Sequence, residues 1–444
     1  NNANFESYIK IVKVDAETGK VIPYAGAGFH LYRPDGSLIT QTLTYPEVTT
    51  IDTFYTNDEG YLITPEKLEY GSGYSLVEVF APYGYTLNSE PVYFDVTQDE
   101  ASNEDGVTVI EVVKPNMAQK GAIKISKSGE VFSSVTEADR MYQPVFSVQG
   151  LPGAVYEITA AEDIITPDGT TRYGKGEIVD TVTTDKTGLA ESKPLYLGKY
   201  EIREIKAPYG MVLNTDIRTA ELVYAGQEIE ITETSASFYN ERQKAAVSLN
   251  KVLEQNAKFG IGTNGEISAV TFGLFATEDL TAADGSVIPT DGLLEILSVD
   301  ENGHAVCNTD LPFGSFYLGE LSTDEHYILS DEKHPIVFDY AGQDTALVEI
   351  KANDGKPIDN DLIYGEIYGL KKDEDGNALG GAVIGLFKSD CNEFTKENAI
   401  LTATSAEDGG FSFADVPYGN WLVREIEAPT GFVLSDETFA VTVD

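Results

Sequence analysis

Four glutamates sit in the same short box. The four copies read Gly73-Tyr-Ser-Leu-Val-Glu78-Val-Phe-Ala-Pro-Tyr-Gly-Tyr85, Lys199-Tyr-Glu-Ile-Arg-Glu204-Ile-Lys-Ala-Pro-Tyr-Gly-Met211, Ser315-Phe-Tyr-Leu-Gly-Glu320-Leu-Ser-Thr-Asp-Glu-His-Tyr327 and Asn420-Trp-Leu-Val-Arg-Glu425-Ile-Glu-Ala-Pro-Thr-Gly-Phe432. An aromatic precedes each glutamate by four positions and an aliphatic by two, and a leucine follows by nine (Leu87, Leu213, Leu329, Leu434). Side chains alternate across a strand, so aromatic, aliphatic and glutamate share one face, and that face is the buried one. Four lysines repeat the anomaly: Lys13, Lys127, Lys251 and Lys371 each follow apolar or small residues at minus two and minus four. A buried charge is costly unless it is neutralised or paired. The repeat therefore predicts either a buried ion pair or an amine and a carboxyl that act together on a third group.

A third residue recurs with them. Asn116, Asn240 and Asn360 precede Lys127, Lys251 and Lys371 at one fixed offset, and Asn2 precedes Lys13 at the same offset. Three triads emerge: Lys13, Glu78 and Asn116; Lys127, Glu204 and Asn240; Lys251, Glu320 and Asn360. The gap from glutamate to asparagine is nearly the same in all three. With Lys371 and Glu425 the matching asparagine would fall past Asp444, so the fourth copy is expected to be cut short.

These residues need strands to hold them. Each repeat opens on the lysine strand, such as Ile9-Lys-Ile11-Val-Lys13, and continues with a short apolar alternation such as Ala27-Gly-Phe29-His-Leu31. Next come the polar turns Asn57-Asp-Glu-Gly60, Asp185-Lys-Thr-Gly188, Asp300-Glu-Asn-Gly303 and Glu407-Asp-Gly409, expected to be hairpin connections. None has the acidic spacing of a calcium loop. The expected modules are 1–117, 118–243 with an insertion at about 129–150, 244–362 and 363–444, each with its own core.

Composition narrows the function. The 444 residues carry 30 Lys+Arg against 73 Asp+Glu, a formal net charge of -43, with 42% hydrophobic residues. Such a chain folds but repels phosphate backbones and anionic lipids, which sets aside nucleic-acid and membrane-surface partners. No apolar run is long enough to span a bilayer, and the start at Asn1 is not a signal peptide, so any targeting signal is expected outside these residues. Cys307 and Cys391 are far apart in the sequence, and the four histidines are scattered, which offers neither a local disulfide nor a metal site; no cofactor is expected. A hydrolase finds no Ser-His-Asp spacing and no phosphate loop.

The Lys-x-Asp near the start (Lys13-Val-Asp15, Lys371-Lys-Asp373), the Ala-x-Phe-x-Leu strand, the Asp/Asn-Gly turn and the glutamate box resemble the Cna B-type, or SpaA-like prealbumin, domains of Gram-positive surface proteins. The resemblance covers essentially the whole chain. It implies an all-β fold, tandem Greek-key β-sandwich modules (prealbumin-like, inverse immunoglobulin-like) arranged as a rod. It also implies a spontaneous isopeptide bond between Lys and Asn, assisted by Glu78, Glu204, Glu320 or Glu425. Such self-modification happens once and is not enzyme turnover. Family members are stalks, pilin subunits and adhesins anchored to the cell wall, so the implied setting is extracellular and the implied partners are the rest of a longer surface protein and the wall. A host protein or glycan ligand is the alternative, with the insertion and Tyr45, Tyr55, Tyr70 and Tyr83 as its surfaces. Two places depart from the pattern: Thr323-Asp-Glu-His326 replaces Ala-Pro-x-Gly, and Lys114-Pro115 precedes Asn116.

The chemistry suits the residues. An ammonium cannot attack a carbonyl, but burial disfavours the charged form and yields a neutral amine. A protonated carboxyl in the same pocket can polarise the Asn carbonyl and pass protons to the departing ammonia. Folding supplies the proximity, with effective molarities of order 10⁵ M or more. Closing loops of about 100 residues contributes about 4 to 5 kcal/mol by analogy with a disulfide, and a tie between first and last strands gives a stiff tether.

Overall fold

The computed structural model describes residues 3–444; Asn2, the head of the asparagine series, lies outside the described residues. Short strands make up almost all regular structure, with 3₁₀ turns at Glu266–Ala269 and Ala352–Gly355. The chain divides into two compact bodies, Asn1–Glu130 with Val148–Arg242, and Val131–Ser147 with Gln243–Asp444.

In the first body, the opening strand Glu6–Asp15 alternates as its sequence requires, with Ile9, Ile11 and Lys13 all buried. It pairs antiparallel with Tyr61–Ile63 and parallel with Val107–Asn116, in the register Ile11↔Val112, Lys13↔Lys114 and Asp15↔Asn116. A parallel pair needs a long crossover, and the rest of the repeat is that crossover. It forms a second sheet in the order Phe54–Tyr55, Gly28–Tyr32, Gly71–Phe80, Val92–Val96. The two inner faces enclose Ile9, Ile11, Phe29, Leu31, Leu76 and Val112. Full burial of side chains such as Phe29 and Leu76 stabilises by roughly 1.5–3 kcal/mol each. Residues 120–240 repeat this plan: Lys120–Ala138 runs parallel to Ile231–Asn240, facing a sheet of Ile178–Thr183, Val155–Ala160, Gly198–Lys206 and Ile217–Leu222.

In the second body, Lys244–Leu253 runs parallel first to Leu347–Lys351 and then to Ile358–Asn360, the two pieces being separated by the turn at Ala352–Gly355. The facing sheet is Leu293–Ser298, Thr271–Ala276, Gly314–Ser322, Lys333–Phe338. The fourth repeat has its own four-stranded sheet, Leu401–Thr404, Val383–Lys388, Gly419–Glu427, Thr438–Val443, while Tyr364–Leu370 pairs with Gly410–Pro417.

Two expectations change. The Gly-containing turns are not hairpins. Asn57–Gly60 leads from Phe54–Tyr55 in one sheet to Tyr61–Ile63 in the other, and the corresponding turns of the other repeats do the same. Polar residues and glycine announce a reversal, but which sheet the next strand joins is decided by the core it must cover. The insertion is also no free loop. Lys120–Ala138 and Met141–Gly150 form a long hairpin about Asp139 and Arg140, both at positive φ. Within the second body, Phe132 and Ser133 accept backbone hydrogen bonds from Ala283 and Asp284, and Phe132, Val135 and Tyr142 pack on the core that holds Leu280 and Leu294. Phe132, Val135 and Tyr142 are therefore already used in packing.

Candidate functional site

Lys13, Lys127 and Lys251 sit at or below 1% exposure. Each is anchored by its backbone: the N–H donates to the turn glycine, Lys13 to Gly60 (2.9 Å), Lys127 to Gly188 (2.7 Å), Lys251 to Gly303 (2.6 Å), and Lys371 likewise to Gly409 (2.7 Å). These glycines have φ of 80–82°, where L side chains are strained. A Cβ on Gly188, Gly303 or Gly409 would come within 2.4 Å of the backbone carbonyl of its own lysine. The glycine of each turn is thus part of the site, a role that sequence reasoning missed although the glycine itself stood out.

In the first, second and fourth repeats the inward glutamate meets the lysine directly. Nζ lies 2.9 Å from Oε1 between Lys13 and Glu78, 3.0 Å between Lys127 and Glu204, and 3.3 Å from Oε2 between Lys371 and Glu425. The asparagine completes the group from the end of the parallel strand. Lys13 and Lys127 donate to Oδ1 of Asn116 and Asn240, and Lys251 donates to Oδ1 of Asn360 at 2.6 Å. On its other side the asparagine amide donates to the glutamate: Asn116 to Glu78 at 2.6 Å, Asn240 to Glu204 at 3.0 Å, Asn360 to Glu320 at 2.9 Å. The expected carboxyl-to-carbonyl contact is therefore not the one present. The carbonyl oxygen faces the lysine, and the carboxylate holds Nδ2.

A backbone amide further along the chain orients each carboxylate: Asn88, Asn214, Ser330 and Ser435 donate to Oε2 of their glutamates at 2.7–2.9 Å. The recurrent leucine at plus nine is the residue just before each donor, and Leu329 and Leu434 are about half exposed. In the first two repeats the Asn88 and Asn214 side chains also donate to the carbonyls of Pro115 and Tyr239, just before the triad asparagine.

Burial pushes the Lys13 and Lys251 amines down to about 8 and shifts Lys127 in the same direction, against the pull of the glutamates. Phe29, and Tyr156 with Phe238, form the apolar wall near Lys13 and Lys127. The departures are absorbed. Pro115 continues the parallel register, and Lys114 is buried opposite Lys13 with its ammonium donating to the Glu90 carbonyl. In the third repeat the turn survives without proline, Tyr327 N–H donating to Asp324 as Tyr85 does to Pro82, and Thr323 Oγ1 accepts from Asn360. Among the described residues no group of three or more His, Cys, Asp or Glu is placed to hold a metal ion, and no helix is long and apolar enough to cross a membrane.

The SpaA prealbumin-like fold domain profile matches residues 7–109, 147–236 and 365–444, more than half of the chain. The trypsin-resistant surface T6 protein of Streptococcus pyogenes is 29% identical over 148 residues, 33% of this chain and 26% of that protein, so the match spans about a quarter of the relative. The Bacillus anthracis TIE protein superposes on 100% of this chain and 73% of its own with a TM-score of 0.52 at 16% identity, a likeness of fold alone. BcpA, the major pilin subunit of Bacillus cereus, is 15% identical over 81% of this chain and all of its own, at a TM-score of 0.27 that carries no weight. With the paired sheets, the parallel closing strands and the repeated glutamate box in place, the chain belongs to the SpaA prealbumin-like fold domain family.

Proposed function

We propose that this chain is a load-bearing segment of a Gram-positive cell-surface protein, stiffened by isopeptide bonds between Lys13 and Asn116, Lys127 and Asn240, and Lys251 and Asn360. The observation that carries the reading is the convergence, three times over, of an opening-strand amine on a closing-strand amide, with a carboxylate on the amide nitrogen that must leave. The glutamate takes a proton from the lysine. The neutral Nζ attacks Cγ, the new C–N bond forms as Cγ–Nδ2 breaks, and Nδ2 departs as ammonia with a proton from the carboxyl. One proton left over from the lysine remains on the glutamate or leaves with the ammonia. Nothing is turned over, so the reaction is self-modification.

The function lies in the load path. A pull on the opening strand crosses to the closing strand at the bond and runs through the short link to the next lysine, which spares residues 14–115, 128–239 and 252–359. The surface location of the T6 relative supports placing the chain outside the cell, joined to the rest of a longer protein and through it to the wall. A second reading, attachment to a host protein or glycan, draws on exposed aromatics of the first repeat, Tyr45 and Tyr70 among them; a glycan array or serum-protein pull-down tests it.

Intact-mass measurement tests the first reading. Three ammonia losses are expected, two after Glu204→Ala. A mass equal to that of the unmodified sequence sinks it.

A further inference from the structure

The first repeat buries a second lysine that the bond-forming step does not consume. Along Val107–Asn116 the inward side chains run Ile110, Val112, Lys114, Asn116, and Lys114 is only 1% exposed. The residue two before the asparagine is Phe238 in the second repeat and Ile358 in the third, both buried and apolar. Parallel pairing sets Lys114 directly beside Lys13, and Lys13 Nζ donates to the Lys114 carbonyl at 2.8 Å. A buried ammonium is costly where an apolar side chain fills the same place, so Lys114 calls for an opposite charge.

The strands packed around it bring that charge. The opening strand carries Lys13 and then Asp15, whose carboxylate is taken by Arg172 and Tyr85. Gly71–Phe80 carries Glu78, 1% exposed and 2.9 Å from Lys13. Glu90 accepts from the Lys114 ammonium through its backbone carbonyl, while the residue itself is exposed. Burial pushes the Lys114 amine down, and Glu78 and Glu90 pull it back up. On Lys13 burial is again the largest effect, opposed by Glu78 and reinforced by Lys114. Before the reaction, then, two amines share one buried carboxylate; after it, one amine remains.

We propose that Lys114 is the counter-charge of Glu78 in the bonded first repeat: once Lys13 has become an amide, Lys114 keeps Glu78 ionised, whereas Glu204 and Glu320, with Phe238 and Ile358 at that place, end protonated. The proposal rests on the isopeptide reading and assigns the proton which that reading leaves over. Lys13 enters as an ammonium and loses two protons as Nζ bonds to Cγ of Asn116 and the Cγ–Nδ2 bond breaks. Nδ2 takes one and departs as ammonia. In the first repeat the other leaves with it, making ammonium; in the second and third it stays on the glutamate. Lys114 acts through Glu78 and not on the reacting atoms.

Infrared spectra of the full chain near pH 7 test this, because exposed carboxyls are ionised there and only buried acids keep the protonated carbonyl band. In the parent chain Glu204→Gln is expected to remove one carboxyl from that band and Glu78→Gln to remove none. Lys114→Met, which keeps the length and deletes the charge, should add one, and Lys114→Arg should add none. An unchanged band in Lys114→Met whose first repeat has lost its ammonia overturns the proposal, as does equal growth in Lys114→Arg. A band that shrinks in Glu78→Gln also overturns it, and that measurement needs no Lys114 variant to fold or react. Intact mass with peptide mapping on the same samples reports the ammonia losses. A parent without the loss in its first repeat fails the isopeptide reading itself, which separates that failure from this one.

Discussion

The backbone N–H of Lys127 donates to the carbonyl of Gly188 at 2.7 Å, tying the opening strand of the second repeat to a turn far along the chain. That bond adds one fixed point, beside the triad, to the register that the core sets for the lysine strand. The glycine tolerates no side chain: φ is 82°, and a Cβ would lie 2.4 Å from the Lys127 carbonyl. Gly188→Ala is expected to destabilise the second repeat by more than the roughly 1–3 kcal/mol of a strained left-handed residue and to slow its bond. Mass spectrometry over time after expression would show the second ammonia loss lagging the other two; simultaneous losses would argue against a positioning role.

On the proposed crosslinking, Asn240→Ala is expected to leave the fold of the second repeat intact and to remove its tie. Residues 127 and 240 are 113 positions apart, so single-molecule stretching should release roughly 370–410 Å of extra contour at about 3.3–3.6 Å per residue. The parent chain is expected to show no such step. On heating, the variant repeat should lose about 4 to 5 kcal/mol, the loop-closure contribution of the bond.

An untied first repeat should respond to pH through its lysine. In Asn116→Ala, Lys13 titrates near 8 when folded and near 10.5 when unfolded. Between those values the unfolded chain binds more protons, so stability rises with pH across that window, by on the order of 3 kcal/mol in total. In a parent bonded as proposed, the lysine is an amide and this contribution vanishes. Denaturant titrations of both proteins at pH 7.5 and 10.5 should show the gap between them narrowing as pH rises; a constant gap contradicts the assignment.

Within the first body, Arg172 reaches Asp15 at 2.8 Å and Glu17 at 3.0 Å while stacking on Tyr196, and Asp15 is fully buried. Tyr85 Oη and the backbone of Glu17 and Thr18 supply the remaining partners of Asp15. Arg172→Ala should therefore cost about 1–3 kcal/mol, the value of hydrogen bonds to a charged group, and not the larger penalty of a wholly abandoned charge. Faster amide exchange is expected over Met117–Gln119, with all three ammonia losses retained. Loss of a bond would show that this joint also shapes the triads.

Much of the site was legible because two periodicities coincide. Period two put Lys13, Glu78 and their repeats inward, and constant spacing singled out Asn116, Asn240 and Asn360. The backbone donor to each glutamate was not visible, because the working atom belongs to the main chain and leaves no trace in side-chain type. Strand faces were legible from alternation and the sandwich from the family resemblance; the sheet joined after each turn was not, since a β-turn reverses the chain without specifying a partner. The hairpin at 129–150 read as an insertion because its apolar residues Phe132, Val135 and Tyr142 have no match in the other repeats.

By itself, the sequence determined the inventory: an amine, a carboxyl and an amide per repeat, each on a strand face that apolar neighbours require to be buried. Tertiary structure decided their meeting. Lys13 and Asn116 are 103 residues apart, and only parallel pairing of the first and last strands places them in one pocket, because register along that pair is set by the whole core and not by any local propensity. It also decided which asparagine atom faces the amine.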